Sequence, residues 1–406
     1  METFRRLSTV RADKISVDVA VFTIAETGVL YACGLNEYGQ LGLGDTQNRS
    51  TLQRVPLEES TKKVVTSGSS TFVLTVSGAL YACGDNRCGQ LGLGHSEDWS
   101  MLRRAPLEEK VKTVATSSFT TFAVTVNGEL YACGNNFYGQ LGLGDRQNRS
   151  TLRRVPLEES VKTVVTGSSS SYVLTVSGAV YTCGNNEQGQ LGLGDNSDRS
   201  TLQRVPLEES VRTVVTGSSS TFVLDRSGAL YACGYNDYGQ LGLGDCSDRS
   251  TLTRVPLDEK VKTIVTCNKS TFVLTVSGAL YACGNNVYGH LGLGDSWNRS
   301  TLQRVPLEES VKTVVTSDYS TFVLTVNGAL YACGNNFYGQ LGLGDSSHRS
   351  TLTRVPLEES AKTVVAVNSS TYVLMINGAL YACGYNGCSQ LGLGDNENRS
   401  TLMKIL

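Results

Sequence analysis

Apolar residues in this chain come in short bursts bounded by Gly, Ser, Asn and Pro, and the bursts recur in a fixed order. Taking residues 80–126 as one unit, four short strands are predicted: A (80–83), B (101–107), C (112–116) and D (122–126). Strand C is rich in β-branched residues, and D alternates with period two. Phe122, Val124 and Val126 are expected to face one way, Ala123 and Thr125 the other. Between D and A stand Ser77-Gly78 or Asn127-Gly128, which favour a tight hairpin. Only 157–162, Leu-Glu-Glu-Ser-Val-Lys, has helical composition, and it is too short to stand alone.

The unit is 50 residues long. Gly-Ala-Leu-Tyr-Ala-Cys-Gly at 78–84 recurs at every fiftieth position from Gly28 to Gly378, giving eight copies with no insertion or deletion. The 7 prolines, Pro56 through Pro356, share one phase. The tail from Thr401 repeats the segment from Thr51 and supplies the eighth B strand. Four antiparallel strands per roughly 50 residues is the content of a propeller blade. The chain is therefore expected to be all-β, with residues 1–406 forming a single domain, an eight-bladed β-propeller of four-stranded antiparallel blades. Each blade runs C-D-A-B, or A-B-C-D with the termini sharing the last blade. Proline at the end of B favours the first order, with B as the outer edge. An open solenoid is disfavoured, because the last repeat is as apolar as the others and lacks a polar cap.

Composition narrows the function. With 40% hydrophobic and 18% charged residues the chain is too apolar to be disordered. Its 35 basic and 37 acidic side chains give a net charge of −2 with no basic block, which argues against nucleic acid as partner. No apolar run approaches the roughly 20 residues that span a bilayer, and 1–14 lacks a signal-like apolar segment, so neither membrane attachment nor secretion is expected. Of 12 cysteines, eight share one phase, from Cys33 to Cys383. They read as small buried thiols in a reducing compartment, cytoplasmic or nuclear. No Cys-x-x-Cys exists, the nearest pairs being Cys83 with Cys88 and Cys383 with Cys388, so no metal and no other cofactor is expected. The glycines of Gly-Gln-Leu-Gly-Leu-Gly (139–144) lack the Gly-Lys-Ser/Thr ending of a phosphate loop and are expected to serve the backbone. His95, His290 and His348 each occupy a different phase and no nucleophile–base motif recurs, so catalysis in the channel is disfavoured.

Two side chains vanish together. Asp45 and Arg49 recur in seven repeats, and the one lacking both carries His95 and Trp99. Joint loss predicts contact, so Asp145 and Arg149 are expected to pair across the A-to-B turn. Asn-x-Ser patterns at Asn48, Asn148, Asn268, Asn298, Asn368 and Asn398 are read as turn residues.

Antiparallel parity puts the A-to-B and C-to-D loops at one end, the top, and the B-to-C and D-to-A loops at the bottom. Bottom segments barely change, whereas top segments vary. The varying residues include Phe119, Phe137, Tyr235, Trp297, Tyr319, Phe337 and Tyr385, which are the expected protein-binding face. The bottom carries Glu58-Glu59 and its copies, partly offset by Lys62-type residues, and is read as a solvated charged face.

The string Tyr-Ala-Cys-Gly-Asn-Asn-Phe-Tyr-Gly-Gln-Leu-Gly-Leu-Gly-Asp at 131–145 resembles the repeat of the regulator of chromosome condensation family, and the resemblance covers nearly the whole chain. It implies a propeller, normally of seven blades, against the eight counted here. Tyr-x-Cys-Gly stands where the family has Tyr-x-Trp-Gly, and Ser-Ser-Thr-Phe (69–72) where it has Gly-x-His-Thr. Trp99 and Trp297 are too few for the tryptophan cluster of the family's plant photoreceptor. The member that exchanges nucleotide on the GTPase Ran uses an inserted wedge, for which this chain has no room. The expected function is therefore a monomeric binding module for a protein partner. The alternative is a regulator or exchange factor of a small GTPase, Ran-like or Rab-like.

Overall fold

A computed structural model describes residues 10–17, 20–117, 119–267, 269–317, 319–367 and 369–405. Eight separate four-stranded antiparallel sheets each follow chain order, C-D-A-B. In the third blade these strands are Val111–Ser117, Thr120–Thr125, Leu130–Gly134 and Arg149–Arg154. Every C strand touches the C strands of its neighbours, and the first touches the last. The sheets thus form an eight-bladed β-propeller with C lining the central channel and B outermost. The last B strand, Arg399–Lys404, pairs within its own blade, so no strand is exchanged at closure. The 157–162 segment is not helical; it turns into strand Val161–Thr166.

Strand D keeps the expected alternation: Phe122 and Val124 face the fourth blade and Ala123 the second. All of Thr120–Thr125 is buried on both faces, because a blade is covered by a neighbour on either side. Val126 lies past its end in the hairpin turn, 57% exposed. The core is a layer between blades: Phe122, Val124, Leu130 and Leu141 of the third blade pack on Val164 and Val173 of the fourth. A blade on its own would leave half of this surface wet, which is why the repeats stand or fall together.

The C strand carries one unpaired residue. Val111 pairs with Thr125 and Thr113 with Val124, which leaves Lys112 as the extra residue of a bulge. The same shift recurs in the blades from the second to the eighth.

The A-to-B loop of each blade clasps the next blade. The Gln140 carbonyl accepts bonds from Ser171 Oγ (2.8 Å) and Cys183 Sγ (3.3 Å). The Gly144 amide donates to the Ser200 carbonyl (2.8 Å). Gly139, at φ +79°, approaches so closely that an added Cβ would lie 2.5 Å from Ser200 Cα. This glycine recurs in seven repeats, but the eighth carries Ser389, at φ +58°.

The exception falls at the seam between the last blade and the first. Val21 replaces the hydroxyl residue that Ser171 supplies elsewhere, and a Cβ on Gly394 would meet nothing within 4 Å. The seam is instead apolar, with Val21, Cys33 and Leu52 against Tyr372, Leu391 and Ile405. Among the described residues the glycine–serine amide bond and the thiol-to-carbonyl bond recur at seven junctions and the hydroxyl bond at four of them, whereas the closing junction has none of the three. Gly139→Ala is expected to destabilise the protein by about 3 kcal/mol, from positive φ plus a backbone clash. Ser389→Gly should change stability by no more than about 1 kcal/mol. Equilibrium denaturant unfolding of both variants checks the contrast.

Candidate protein-binding face

The top loops are held by a buried asparagine. The Asn136 amide NH₂ donates to the Asp145 carbonyl (2.9 Å) and carboxylate (3.2 Å), and its Oδ1 accepts from the Leu141 amide (2.9 Å). Its backbone N–H donates to Asn148 Oδ1 (2.9 Å). Asn136 is fully buried, and every repeat has Asn at this phase. Its presence in all eight repeats is the sequence signal for this role, which the 131–145 motif contains but does not by itself reveal. The Asn-x-Ser asparagines 48, 148, 298 and 398 are likewise turn acceptors. Asn268 and Asn368 lie outside the described residues.

Around this frame Asp145 and Arg149 form an ion pair. Asp145 also accepts from the Gln147 amide, and Arg149 donates to the Gln147 and Asn148 carbonyls. The Gln147 amide foremost holds the Asp145 carboxyl below the usual aspartate range; desolvation, the next effect in size, opposes it and is outweighed with the help of Arg149 and Asn136. Six further blades repeat the pair. In the second blade His95 lies tilted against Trp99 (5.8 Å between ring centroids), with Arg103 over the indole at 4.5 Å.

Tyr288, in the A-to-B loop of the sixth blade, lies 4.8 Å from Tyr319, in the C-to-D loop of the seventh, so both loop types share one end. Ser77 Oγ donates to Glu59 (2.5 Å), which places the D-to-A and B-to-C loops together at the other.

The predicted aromatics divide into two groups. Phe119, Phe137, Trp297 and Phe337 are exposed, Trp297 at 76% and Phe337 at 68%. Tyr235, Tyr319 and Tyr385 are half-buried. Across the sixth to eighth blades the rings form an arc. Tyr319 and His348 both pack on Tyr288, His348 accepts from the amide beside Phe337, and Phe337 touches Tyr338, which touches Tyr385. Tyr288, Tyr338 and His348 were not singled out in the sequence, since their proximity arises only when different repeats meet.

Elsewhere cations cover the rings. Lys269 sits over Tyr235 (5.0 Å) and Tyr238 (4.7 Å). Arg87, bonded to Asp85, lies against Tyr38 and Phe119. Burial, then Asp237, pushes Tyr235 up to about 12.

Under the arc His290 replaces the glutamine found in the other repeats. Its Nε2 bonds Ser270 Oγ (2.8 Å), and burial pushes it down to about 4, so it is neutral at pH 7. The eight in-phase cysteines are free and buried, with thiols raised by desolvation, Cys33 to about 12. Among the described residues no group of three His, Cys, Asp or Glu is placed to hold a metal ion. No described helix is long and apolar enough to cross a membrane.

The bottom end has apolar residues too. Val76, Val126, Val176, Val276, Val326 and Ile376 are exposed singly, one per hairpin turn.

Residues 99–308 match the model of the RCC1-like domain, and 27–74 and 327–374 match that of the Regulator of chromosome condensation (RCC1) repeat. A second model of that repeat matches 62–90 and 311–340. The chain belongs to the regulator of chromosome condensation (RCC1) family. Human WBSCR16 has a similar fold, with a TM-score of 0.65 at 21% identity over 81% of this chain and 94% of that one. Yeast RCC1 (Prp20) bound to Kap60 gives 0.66 at 19% identity over 88% of each chain. Prp20p from Saccharomyces cerevisiae, in a structure reported with its binding properties to Gsp1p and histones, also gives 0.66 at 19%, over 90% of this chain and 92% of that one.

A double-mutant cycle on Asp145→Ala and Arg149→Ala is expected to show coupling of about 0.5–1 kcal/mol, small because both groups are partly solvated. The depressed carboxyl sets the sign with pH. The coupling is fully present above the ordinary aspartate pKa and is lost as pH falls through the lowered value. Cycles repeated at neutral and strongly acid pH check it.

Proposed function

We propose that this propeller is a binding module whose top face docks a protein partner, centred on the aromatic arc of the sixth to eighth blades. The observation that carries this reading is the outward display of Trp297 and Phe337 on the same loop type that holds the tilted and edge-on rings of the arc, on a closed scaffold. Large rigid aromatics lose little entropy on docking and dominate interface energies. The partly covered rings Phe119, Tyr235, Tyr319 and Tyr385, with Phe137, extend the face. Here Lys269 adds positive charge, which suits a partner with an acidic residue at its rim, whereas the charge of Arg87 is offset by Asp85.

Family membership supports a second reading, regulation of a small GTPase. Prp20p, with its reported binding properties to Gsp1p, is of similar fold. The strict 50-residue spacing leaves no inserted segment to act as a wedge. A nucleotide-release assay on Ran-like and Rab-like GTPases separates the two readings. Acceleration at micromolar protein would favour exchange; its absence would leave the docking module.

Trp297→Ala with Phe337→Ala is expected to abolish partner capture while leaving the melting temperature within about 2 °C, because both side chains are mostly in solvent. Affinity capture and mass spectrometry on the wild type and the double variant measure this. A partner retained undiminished by the variant would reject the proposed face.

A further inference from the structure

The innermost strands carry a charge pattern that the docking face does not use. Lys62 and the residues at 50-residue intervals from it, up to Lys362, are five more lysines and, at Arg212, one arginine. All seven are exposed. Each is the unpaired residue of the bulge on its C strand, at the bottom end of the channel wall. A bulge re-aims a side chain out of the ladder, and here it does so at one height in seven blades.

The side chains run around the rim. Lys162 Nζ donates to the Arg212 carbonyl (3.2 Å), Arg212 Nη2 to the Lys262 carbonyl (3.1 Å), and Lys312 Nζ to the Lys362 carbonyl (3.3 Å). Each bond joins one position to the same position a blade further on, so the cations lie in a circle about the axis. A lysine bonded in this way keeps two of its three N–H donors free. Among the described residues no carboxylate pairs with any of the seven. The nearest acids in sequence are drawn outward instead: Glu159 is held by Ser177 (2.5 Å) and Tyr181 (2.8 Å), at the third strand from the channel.

Seven like charges on one rim of a chain of net charge −2 repel one another unless an anion sits among them. We propose that the bottom mouth of the central channel binds a compact polyphosphate, a small molecule bearing several phosphates on one frame. The single height of the ring selects this ligand over an acidic peptide. An extended peptide would present its charges at successive levels about 3.3 Å apart, and in the second to eighth blades the wall positions that follow the ring are uncharged apart from Lys63. Lysine and arginine donors suit phosphate oxygens.

Calorimetry with inositol hexakisphosphate tests the proposal. One molecule should bind per chain, more weakly as salt rises. Lys162→Gln with Arg212→Gln and Lys262→Gln should weaken binding by roughly thirty-fold or more, and should not lower the melting temperature, because repulsion is relieved. Lys162→Arg with Lys262→Arg keeps the charge and should retain binding, which guards against loss through misfolding. Arg54→Ala with Arg104→Ala and Arg204→Ala, on exposed outer-strand positions, removes the same charge and should leave the affinity within about threefold. The proposal is overturned if hexakisphosphate gives no heat, if the outer triple loses as much affinity as the inner one, or if deca-glutamate binds more tightly.

Discussion

Everything in this molecule depends on the contact between one blade and the next. A four-stranded sheet of this size cannot bury both faces of its D strand alone. The interlayer that covers Phe122 and Val173 exists only when blades stand side by side. The A-to-B loop makes that packing specific. Its buried asparagine fixes the turn, its glycine lets the backbone touch the neighbour's serine, and its Gln140 carbonyl receives the neighbour's hydroxyl and thiol. Loops braced by a clasp at one end are free to vary in the residues that the clasp does not use. The aromatic arc occupies those positions.

Much of the fold was legible because repetition turns one strand pattern into eight. The Ser-Gly and Asn-Gly turns, the proline at the end of B and the uniform spacing lead to blade number and strand order. The joint loss of Asp and Arg at His95 and Trp99 points to a contact that the Asp145–Arg149 ion pair makes across the turn. Strand D alternates as its sequence indicates, but the cover on its second side was not legible: Ala123 and Thr125, packed under a second blade, are as buried as Phe122. Period-two alternation gives the direction of each side chain but not whether a neighbour covers it.

The candidate face was legible in composition but not in arrangement. Exposed Trp297 and Phe337 could be named from loop variation. That Tyr319 would be half-buried against Tyr288, and that His348 would link blade to blade, depends on loops of different repeats meeting in space. The bulge at Lys112 was equally hidden, since one unpaired residue leaves no mark on a pattern of threonine and valine.

The clasp points in one direction: each blade reaches forward and is held from behind. Such head-to-tail contacts accept another identical unit at any junction without redesign, and only the turn angle per unit decides where the circle meets itself. The number eight is thus a property of geometry more than of any single residue. Ser389 and Val21, the two residues that break the pattern, mark where the growing array stops being a series and becomes a loop. Duplicating or deleting a whole unit would keep every other junction intact, so blade number can change in evolution in steps that leave the remaining contacts as they were.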